Sequence, residues 1–135
     1  MRTSVCVKTV VRRGERILIV RRSEQDPIGP GDWEFPGGTV EWEETCEEAL
    51  ARELWEETGL KLTGWKLLYV SSFLVEPDRK MYALTYESEA EGEVCLSKEH
   101  QAYCWADEEE AAELLLPGVY RDYCAYRKRM GEKRE

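Results

Sequence analysis

The chain has 135 residues, of which 42% are hydrophobic and 35% charged, and its formal net charge is −9. This length suits one ordinary domain, so we expect residues 1–135 to form a single unit. No stretch approaches the ~18 consecutive apolar residues of a membrane-spanning helix, and the acidic balance argues against binding to a nucleic-acid polymer.

The first third of the chain is predicted to form short strands around a loop. Alternating apolar and polar residues predict a strand at 4–11, and the apolar run at 17–20 completes a β-hairpin with it. Two prolines and two glycines predict a loop over 23–32. Residues 33–35 form a short extended segment before the Pro-Gly-Gly sequence that follows.

The clearest helix begins at Thr45. Thr45 and Glu48 have the spacing of a capping box, in which each side chain satisfies the backbone N–H of the other. Apolar residues at 49, 50 and 54 recur at helical spacing, and Gly59 supplies the left-handed residue that ends many helices. The pattern predicts a helix over 45–58.

The second half of the chain is predicted to form strands followed by helices. Its predicted elements are strands at 65–75 and 81–86 joined by a turn at 76–79, an acidic connector at 87–93, a strand at 101–105, a helix capped by Asp107 that ends at Leu115, and a last helix to about Met130. The turn contains Pro77, which suits a tight connection between two strands.

Acidic residues are concentrated in two blocks. Residues 37–60 carry one Lys or Arg against eight Asp or Glu, and residues 87–113 carry one against ten. Packed carboxylates repel each other unless water or a cation screens them. Each block is therefore either a solvated surface or a place for a cation, and the spacing inside the first block favours the cation.

Three glutamates of the predicted helix lie on one stripe. Glu53, Glu56 and Glu57 are spaced i, i+3 and i+4, which brings their Cβ atoms within about 5–6 Å of each other. Like charges at this spacing destabilise a helix, and a divalent cation reverses that effect. Mg²⁺ and Mn²⁺ bind carboxylate oxygens and take further ligands from water and substrate phosphates. The stripe predicts a metal site for phosphate chemistry.

A longer pattern surrounds these glutamates. From Gly38, five residues precede Glu44, and seven more precede the run Arg52-Glu53-Leu54-Trp55-Glu56-Glu57-Thr58-Gly59-Leu60. At all nine fixed positions this resembles the signature of the Nudix hydrolase family, Gly-x5-Glu-x7-Arg-Glu-U-x-Glu-Glu-x-Gly-U, where U is bulky and aliphatic. The preceding Trp33-Glu34-Phe35-Pro36-Gly37 is similar to the family's usual lead-in. The resemblance implies the family's α/β (α+β) fold, a mixed β-sheet between helices.

The resemblance also implies roles for individual residues. Glu53, Glu56 and Glu57 would bind Mg²⁺ or Mn²⁺, with the backbone carbonyl of Gly37 as a further ligand. Arg52 would orient a glutamate of the signature through a charge-assisted hydrogen bond. The remaining positions would serve the structure, with Gly38 and Gly59 turning the chain, Glu44 stabilising the loop, and Leu54 and Leu60 in the core.

The implied reaction is attack of a metal-activated water on a phosphorus atom of a diphosphate linkage. A base must accept the proton of that water. Members of the family differ in its source, and the alternatives here are Glu53 on the helix and Glu99, whose spacing from Trp105 is similar to that in MutT-like members. His100 is a third alternative, although a lone histidine is more often structural.

Substrate binding requires cations and aromatic surfaces. Arg21 and Arg22 end the second strand, and since successive side chains point to opposite faces, we expect one of them, Arg22, to face the phosphates. Trp33 is a candidate for stacking on a base, with core packing as the alternative. Further candidates for a base pocket are Tyr69, Phe73, Tyr82 and Tyr120.

The signature leaves the substrate open. The compact length favours nucleoside triphosphates, cleaved to the monophosphate and pyrophosphate as in MutT-like members. ADP-ribose is the nearest alternative, because Pro77 lies 17 residues after Leu60, close to where ADP-ribose-cleaving members tend to carry a proline. Dinucleoside polyphosphates, CDP-linked compounds and a catalytically silent nucleotide-binding module are the others.

The sequence also predicts the cellular setting. The five cysteines form no Cys-x-x-Cys pair, and the N-terminus lacks the layout of a signal peptide. We therefore expect a cytoplasmic protein with reduced thiols. Its expected partner is a small-molecule nucleotide and not a membrane or a nucleic-acid polymer. A monomer and a homodimer are equally compatible with the sequence.

Overall fold

The structure, a computed structural model, describes the backbone of residues 1–134 and the side chains of residues 1–129. Its elements are β1 (Arg2–Arg13), β2 (Arg16–Arg22), β3 (Trp33–Glu34), β4 (Gly37–Thr39), α1 (Cys46–Thr58), β5 (Lys61–Glu76), β6 (Arg79–Glu91), β7 (His100–Ala106), α2 (Glu108–Leu114) and α3 (Pro117–Arg134). This mixture of strands and helices confirms the predicted α/β (α+β) class. None of the helices within the described residues combines the length and the apolar content needed to cross a membrane.

The strands form a mixed sheet in two parts that share β1. In the first part, β1 runs parallel to β6 and antiparallel to β4, and β5 pairs antiparallel with β6. In the second part, the end of β1 forms a hairpin with β2, which also pairs with β3 and β7. The predicted hairpin is therefore confirmed, and the long first strand connects the two parts.

Helices cover both faces of the sheet. On one face, Leu50 of α1 packs with Val7 and Tyr86. On the other face, Tyr123 of α3 packs edge-on against Phe35, at 5.7 Å between ring centroids. The sheet is thus buried between α1 and α3, as the family resemblance implied, and burial of these apolar side chains is the main stabilising contribution.

The predicted caps of α1 are present. The Thr45 hydroxyl accepts a hydrogen bond from the backbone N–H of Glu48, and the Glu48 carboxylate accepts one from the N–H of Thr45. At the other end, Gly59 has a φ of 71°, and its N–H donates to the carbonyl of Trp55. Both ends of the glutamate-bearing helix are therefore fixed by local sequence.

The predicted acidic connector at 87–93 is wrong over most of its length, because β6 continues to Glu91. Acidic residues there alternate with residues that face inward, which is the period of a strand. Ser88 is buried and accepts a hydrogen bond from the Thr9 hydroxyl at 2.7 Å. The connector was predicted from the acidic composition of the segment, which does not show this alternation. The last helix is also longer than predicted, since α3 continues to Arg134.

Candidate active site

The three glutamates of α1 differ sharply in exposure. Glu57 is only 3% exposed, although it is a carboxylate, because α1 packs its Leu54 and Glu57 side toward the sheet. The Glu53 side chain is mostly buried as well, whereas the Glu56 side chain is more than half exposed. The stripe predicted from the sequence therefore runs from the protein interior to its surface.

Two glycines allow the backbone to approach these carboxylates. The backbone N–H of Gly37 donates to Oε2 of Glu57 at 3.3 Å. A Cβ on Gly37 would collide with the carbonyl oxygen of Val7, and a Cβ on Gly38 would collide with the Glu53 carboxylate. A side chain at Gly37 has no room beside the Val7 backbone, whereas a side chain at Gly38 would fit only if the Glu53 carboxylate moved. Neither glycine serves a left-handed backbone.

Arg52 connects the signature glutamates. Its Nε and Nη2 atoms donate to the two carboxylate oxygens of Glu44, at 2.6 and 2.9 Å. Its Nη1 atom donates to Glu53 at 2.9 Å and to Glu56 at 3.2 Å. The guanidinium group thus has the position expected for orienting Glu53. Glu44 in turn fixes Arg52, and hydrogen bonding to Arg52 lowers the pKa of Glu44 to about 2.

Burial governs the protonation of the two inner glutamates. Desolvation raises the pKa of Glu57 to about 8, although Lys8 and the N–H of Gly37 oppose the change. Desolvation also raises the pKa of Glu53, against the opposing effect of Arg52. A deprotonated carboxylate at such a place lacks sufficient positive charge around it. A divalent cation would supply that charge, so the donor set fits a metal ion.

The segment before β7 brings Glu99 to the same place. Glu57, Glu99 and His100 each offer a ligand atom, and these atoms all lie within 4.8 Å of one another. Glu99 is exposed, and its charge contributes to raising the pKa of Glu53. Glu99 therefore faces both inner glutamates, as required of a candidate base.

His100 is buried and forms a structural contact. Its Nε2 atom lies 2.8 Å from Oε2 of Glu34, and its Nδ1 atom lies 3.8 Å from Oε2 of Glu57. The Nδ1 atom has no hydrogen-bond partner among the described residues. This unsatisfied nitrogen beside a buried carboxylate is a second observation consistent with a ligand at this position.

Glu34, which was not among the predicted site residues, is the centre of a charged network. Its carboxylate accepts hydrogen bonds from Lys8 at 3.3 Å and from Arg22 at 3.0 Å, in addition to His100. Burial alone would raise the pKa of Glu34, but the His100 hydrogen bond and the two cations lower it to about 2. Its place in the segment that resembles the family lead-in was the available signal in the sequence.

Arg22, at the end of β2, is paired with two carboxylates. Besides Glu34, it binds Asp26 at 2.8 Å. The neighbouring Arg21 points elsewhere and donates to the carbonyl of Gly31. Of the two arginines, Arg22 therefore faces the interior of the site, but its guanidinium is already paired with two carboxylates.

A cleft of about 700 Å³ adjoins the charged network. Lys8, Arg22 and Glu34 line one side of it. The predicted aromatic residues that line it are Trp33, Tyr69 and Phe73. Its size lies within the range of small-molecule sites, and its wall combines apolar rings with a few charged groups.

Two other predicted pocket residues lie outside this cleft. Tyr82 is partly exposed on β6, and Tyr120 lines a separate cavity of about 400 Å³ next to α2. Pro77 occupies the turn between β5 and β6 and is not part of the cleft wall. A turn explains Pro77 fully, so it gives no support to ADP-ribose as the substrate.

Comparisons with known proteins agree with this geometry. A family model described as the NUDIX domain matches residues 1–128. A MutT-like protein of Streptomyces ambofaciens is 36% identical over 107 residues, which are 78% of this chain and 64% of that protein. The chain therefore spans less than two thirds of that relative's length. The CTP pyrophosphohydrolase of Escherichia coli K12 is 35% identical over 82% of this chain and 80% of its own length.

A third relative and two solved structures extend the similarity. The nucleoside triphosphatase NudI of Salmonella newport is 30% identical over 82% of this chain and 85% of its own length. The MutT protein of Methanosarcina mazei Go1 superposes with a TM-score of 0.81 at 28% identity, over 99% of this chain and 97% of that chain. The E. coli ORF135 protein gives a TM-score of 0.79 at 30% identity, over 94% and 92%.

Proposed function

The chain belongs to the Nudix hydrolase family and is a pyrophosphohydrolase, and we propose that it cleaves nucleoside triphosphates to the monophosphate and pyrophosphate. The observation that carries this proposal is the junction between the cleft and the carboxylates. Glu34 lines the cleft and contacts His100, which in turn lies beside Glu57. A nucleotide in the cleft would thus present its phosphates to the acidic cluster.

Mg²⁺ or Mn²⁺ is the cofactor that fits this cluster. Glu53, Glu56 and Glu57 would hold it, together with the backbone carbonyl of Gly37. Burial raises the pKa of Glu57 more than Lys8 and the N–H of Gly37 lower it, and this supports the assignment. When bound, such an ion lowers the pKa of a water molecule and neutralises charge on phosphoryl oxygens.

The chain's own residues would position the reactants and accept the proton. Arg52 holds Glu53 and Glu56 in place through hydrogen bonds of 2.9 and 3.2 Å. Either Glu53 or Glu99 accepts the proton of the attacking water. Glu99 is the more exposed of the two and has no arginine partner among the described side chains, so it is free to approach that water.

The cleft residues would hold the nucleotide. Lys8 and Arg22 line its charged side and would contact phosphate oxygens, with Arg22 exchanging part of its bonding to Glu34 or Asp26 for the substrate. Trp33 offers a ring for stacking on the base. Two relatives named for action on nucleoside triphosphates or CTP support this substrate class. A cytoplasmic location follows from the same proposal, since that is where such nucleotides are abundant.

A substrate panel tests the proposal. Canonical and oxidised nucleoside triphosphates, ADP-ribose, dinucleoside polyphosphates and CDP-alcohols would be incubated with Mg²⁺ and with Mn²⁺, and the products separated by chromatography. We expect the triphosphates to give the highest kcat/KM, with a nucleoside monophosphate as product. Preferred cleavage of ADP-ribose to AMP and ribose 5-phosphate would overturn the substrate while leaving the type of reaction intact.

A further inference from the structure

The outer edge of β5 carries a long row of exposed apolar side chains. β5 has 16 residues and pairs on one side with β6, and within residues 1–134 no strand pairs with its other side. Six of its large apolar residues are 40% to 67% exposed: Trp65, Leu67, Val70, Phe73, Leu74 and Val75. An exposed, apolar edge strand is a template for pairing with another chain.

Two exposed apolar residues near the middle of β5, Leu67 and Val70, share one face of the sheet. Directly opposed residues of paired strands lie on the same face. Leu67 lies opposite Tyr86, and Val70 lies opposite Leu84. Tyr86 and Leu84 belong to the face that α1 covers. Leu67 and Val70 therefore continue that face beyond the helix, where they remain exposed.

Charge limits which partner this edge can accept. A molecule of net charge −9 repels its own copies through most of its surface. The edge of β5 carries opposite charges at its two ends, because it begins with Lys61 and ends with Glu76. Glu76 also forms an exposed ion pair with Arg2 of the same chain, at 3.2 Å. A strand that is basic at its start and acidic at its end is complementary to an antiparallel copy of itself.

We propose that β5 pairs antiparallel with β5 of a second copy of this chain, about a two-fold axis between Leu68 and Tyr69. In this register Leu67 lies opposite Val70 of the second copy, and Lys61 lies opposite Glu76 of the second copy. The same register places Gly64 opposite Phe73, so that a large ring covers a position without a side chain.

The observed pairing with β6 supports this register. Leu67 and Val70 both face even-numbered residues of β6, and Lys61 and Glu76 both face odd-numbered ones. Each proposed pair therefore joins residues of the same face, despite the register shift between Leu67 and Tyr69. A one-residue slip would place apolar residues opposite polar ones on the other face.

The contact area is adequate for a reversible dimer. A half-exposed aromatic ring offers about 100 Å² of apolar surface and an aliphatic side chain somewhat less, so the exposed row offers roughly 500 Å². Backbone and polar atoms along the strand add to this area and bring it near the ~800 Å² per partner of a standard interface. We expect a dimer that dissociates in the micromolar range.

Sedimentation velocity from low micromolar to near-millimolar concentration tests the dimer. The wild-type chain should shift from monomer to dimer over this range. Val70→Arg should weaken the dimer by roughly a hundredfold or more, because it places two cations near the axis. Tyr103→Arg on β7 is the matched control, because Tyr103 is a similarly exposed residue in another strand of the sheet, and it should leave the dimer intact. Circular dichroism of both variants checks that they are folded.

Charge reversal tests the register independently of folding. Lys61→Glu alone and Glu76→Lys alone should each weaken the dimer by roughly tenfold, because each places like charges opposite each other. An equimolar mixture of the two variants should recover the dimer, since the mixed pair restores opposite charges at both ends. A wild-type chain that stays monomeric at every concentration, a dimer insensitive to Val70→Arg, or a mixture that stays as weak as its components would overturn the proposal.

Discussion

Nδ1 of His100 lies 3.8 Å from Oε2 of Glu57, and both side chains are almost completely withdrawn from water. The Glu57 carboxylate otherwise accepts a hydrogen bond only from the backbone of Gly37 among the described residues. This leaves a buried acid with little compensation, and burial raises its pKa to about 8. The proposed metal site therefore has a cost in stability when no cation is bound.

That cost predicts a pH dependence of stability. The Glu57 pKa is about 8 in the folded chain and 4.5 ordinarily. Between pH 4.5 and 8 the folded chain therefore keeps a proton on Glu57 that the unfolded chain has lost. The free energy of unfolding in EDTA should fall as pH rises from 4.5 to 8, by about 5 kcal/mol from this group, and level off above pH 8. Urea denaturation at a series of pH values measures it.

Glu57→Gln is the matched variant for this dependence. The amide cannot ionise, so we expect its stability in EDTA to vary much less between pH 5 and 9 and to exceed that of the wild type at pH 9. Activity should fall by orders of magnitude, because a ligand of the proposed metal is lost. An unchanged slope of stability with pH in this variant would show that another group titrates.

The close contact of Gly38 with Glu53 predicts the effect of a single methyl group. Gly38→Ala would displace the Glu53 carboxylate, since a Cβ there collides with it. We expect kcat/KM to fall by roughly a hundredfold, because misplacing a catalytic group by about 1 Å has effects of this size. Gly64→Ala, where a Cβ would be in ordinary contact distance of Glu89, is the control and should retain activity.

The identity of the base is decided by comparing two variants. If Glu99 accepts the proton, Glu99→Gln should reduce kcat more than Glu53→Gln and should weaken Mn²⁺ binding less. Measuring kcat at saturating metal and the metal Kd separately gives both quantities. The reverse order in both would assign the base to Glu53.

Glu34→Gln should affect both stability and substrate affinity. The carboxylate holds Lys8, Arg22 and His100, and its removal leaves partly buried cations without their partner. We expect a loss of about 2–3 kcal/mol in the free energy of unfolding. KM should rise because the two cations lose their position in the cleft. Glu24→Gln, which affects only the exposed contacts with Arg21 and Gln101, should change neither quantity by a comparable amount.

Local sequence predicted the parts of the fold that local interactions determine. The capping box at Thr45 and the glycine stop at Gly59 are both present. The acidic end of β6 was missed because its burial depends on pairing with both β1 and β5. Such pairing joins residues far apart in the chain, and composition gives no sign of it.

The candidate site shows the same division. Glu53, Glu56 and Glu57 could be selected because one helix presents all three at a fixed spacing. The network around Glu34 joins residues of β1, β2, β3 and β7, and no short spacing reveals it. Glu99 is intermediate between these two groups of residues. Its spacing from Trp105 indicated it in the sequence, but only the fold shows that it lies near Glu57.

The most direct test of the proposed function is pyrophosphate release from a nucleoside triphosphate by the wild-type chain and by Glu57→Gln, with and without Mg²⁺. We predict stoichiometric pyrophosphate and monophosphate from the wild type, only with the metal, and a loss of several orders of magnitude in the variant. Binding of nucleotide and metal without turnover, or release of orthophosphate with a nucleoside diphosphate, would contradict the proposed reaction at this site.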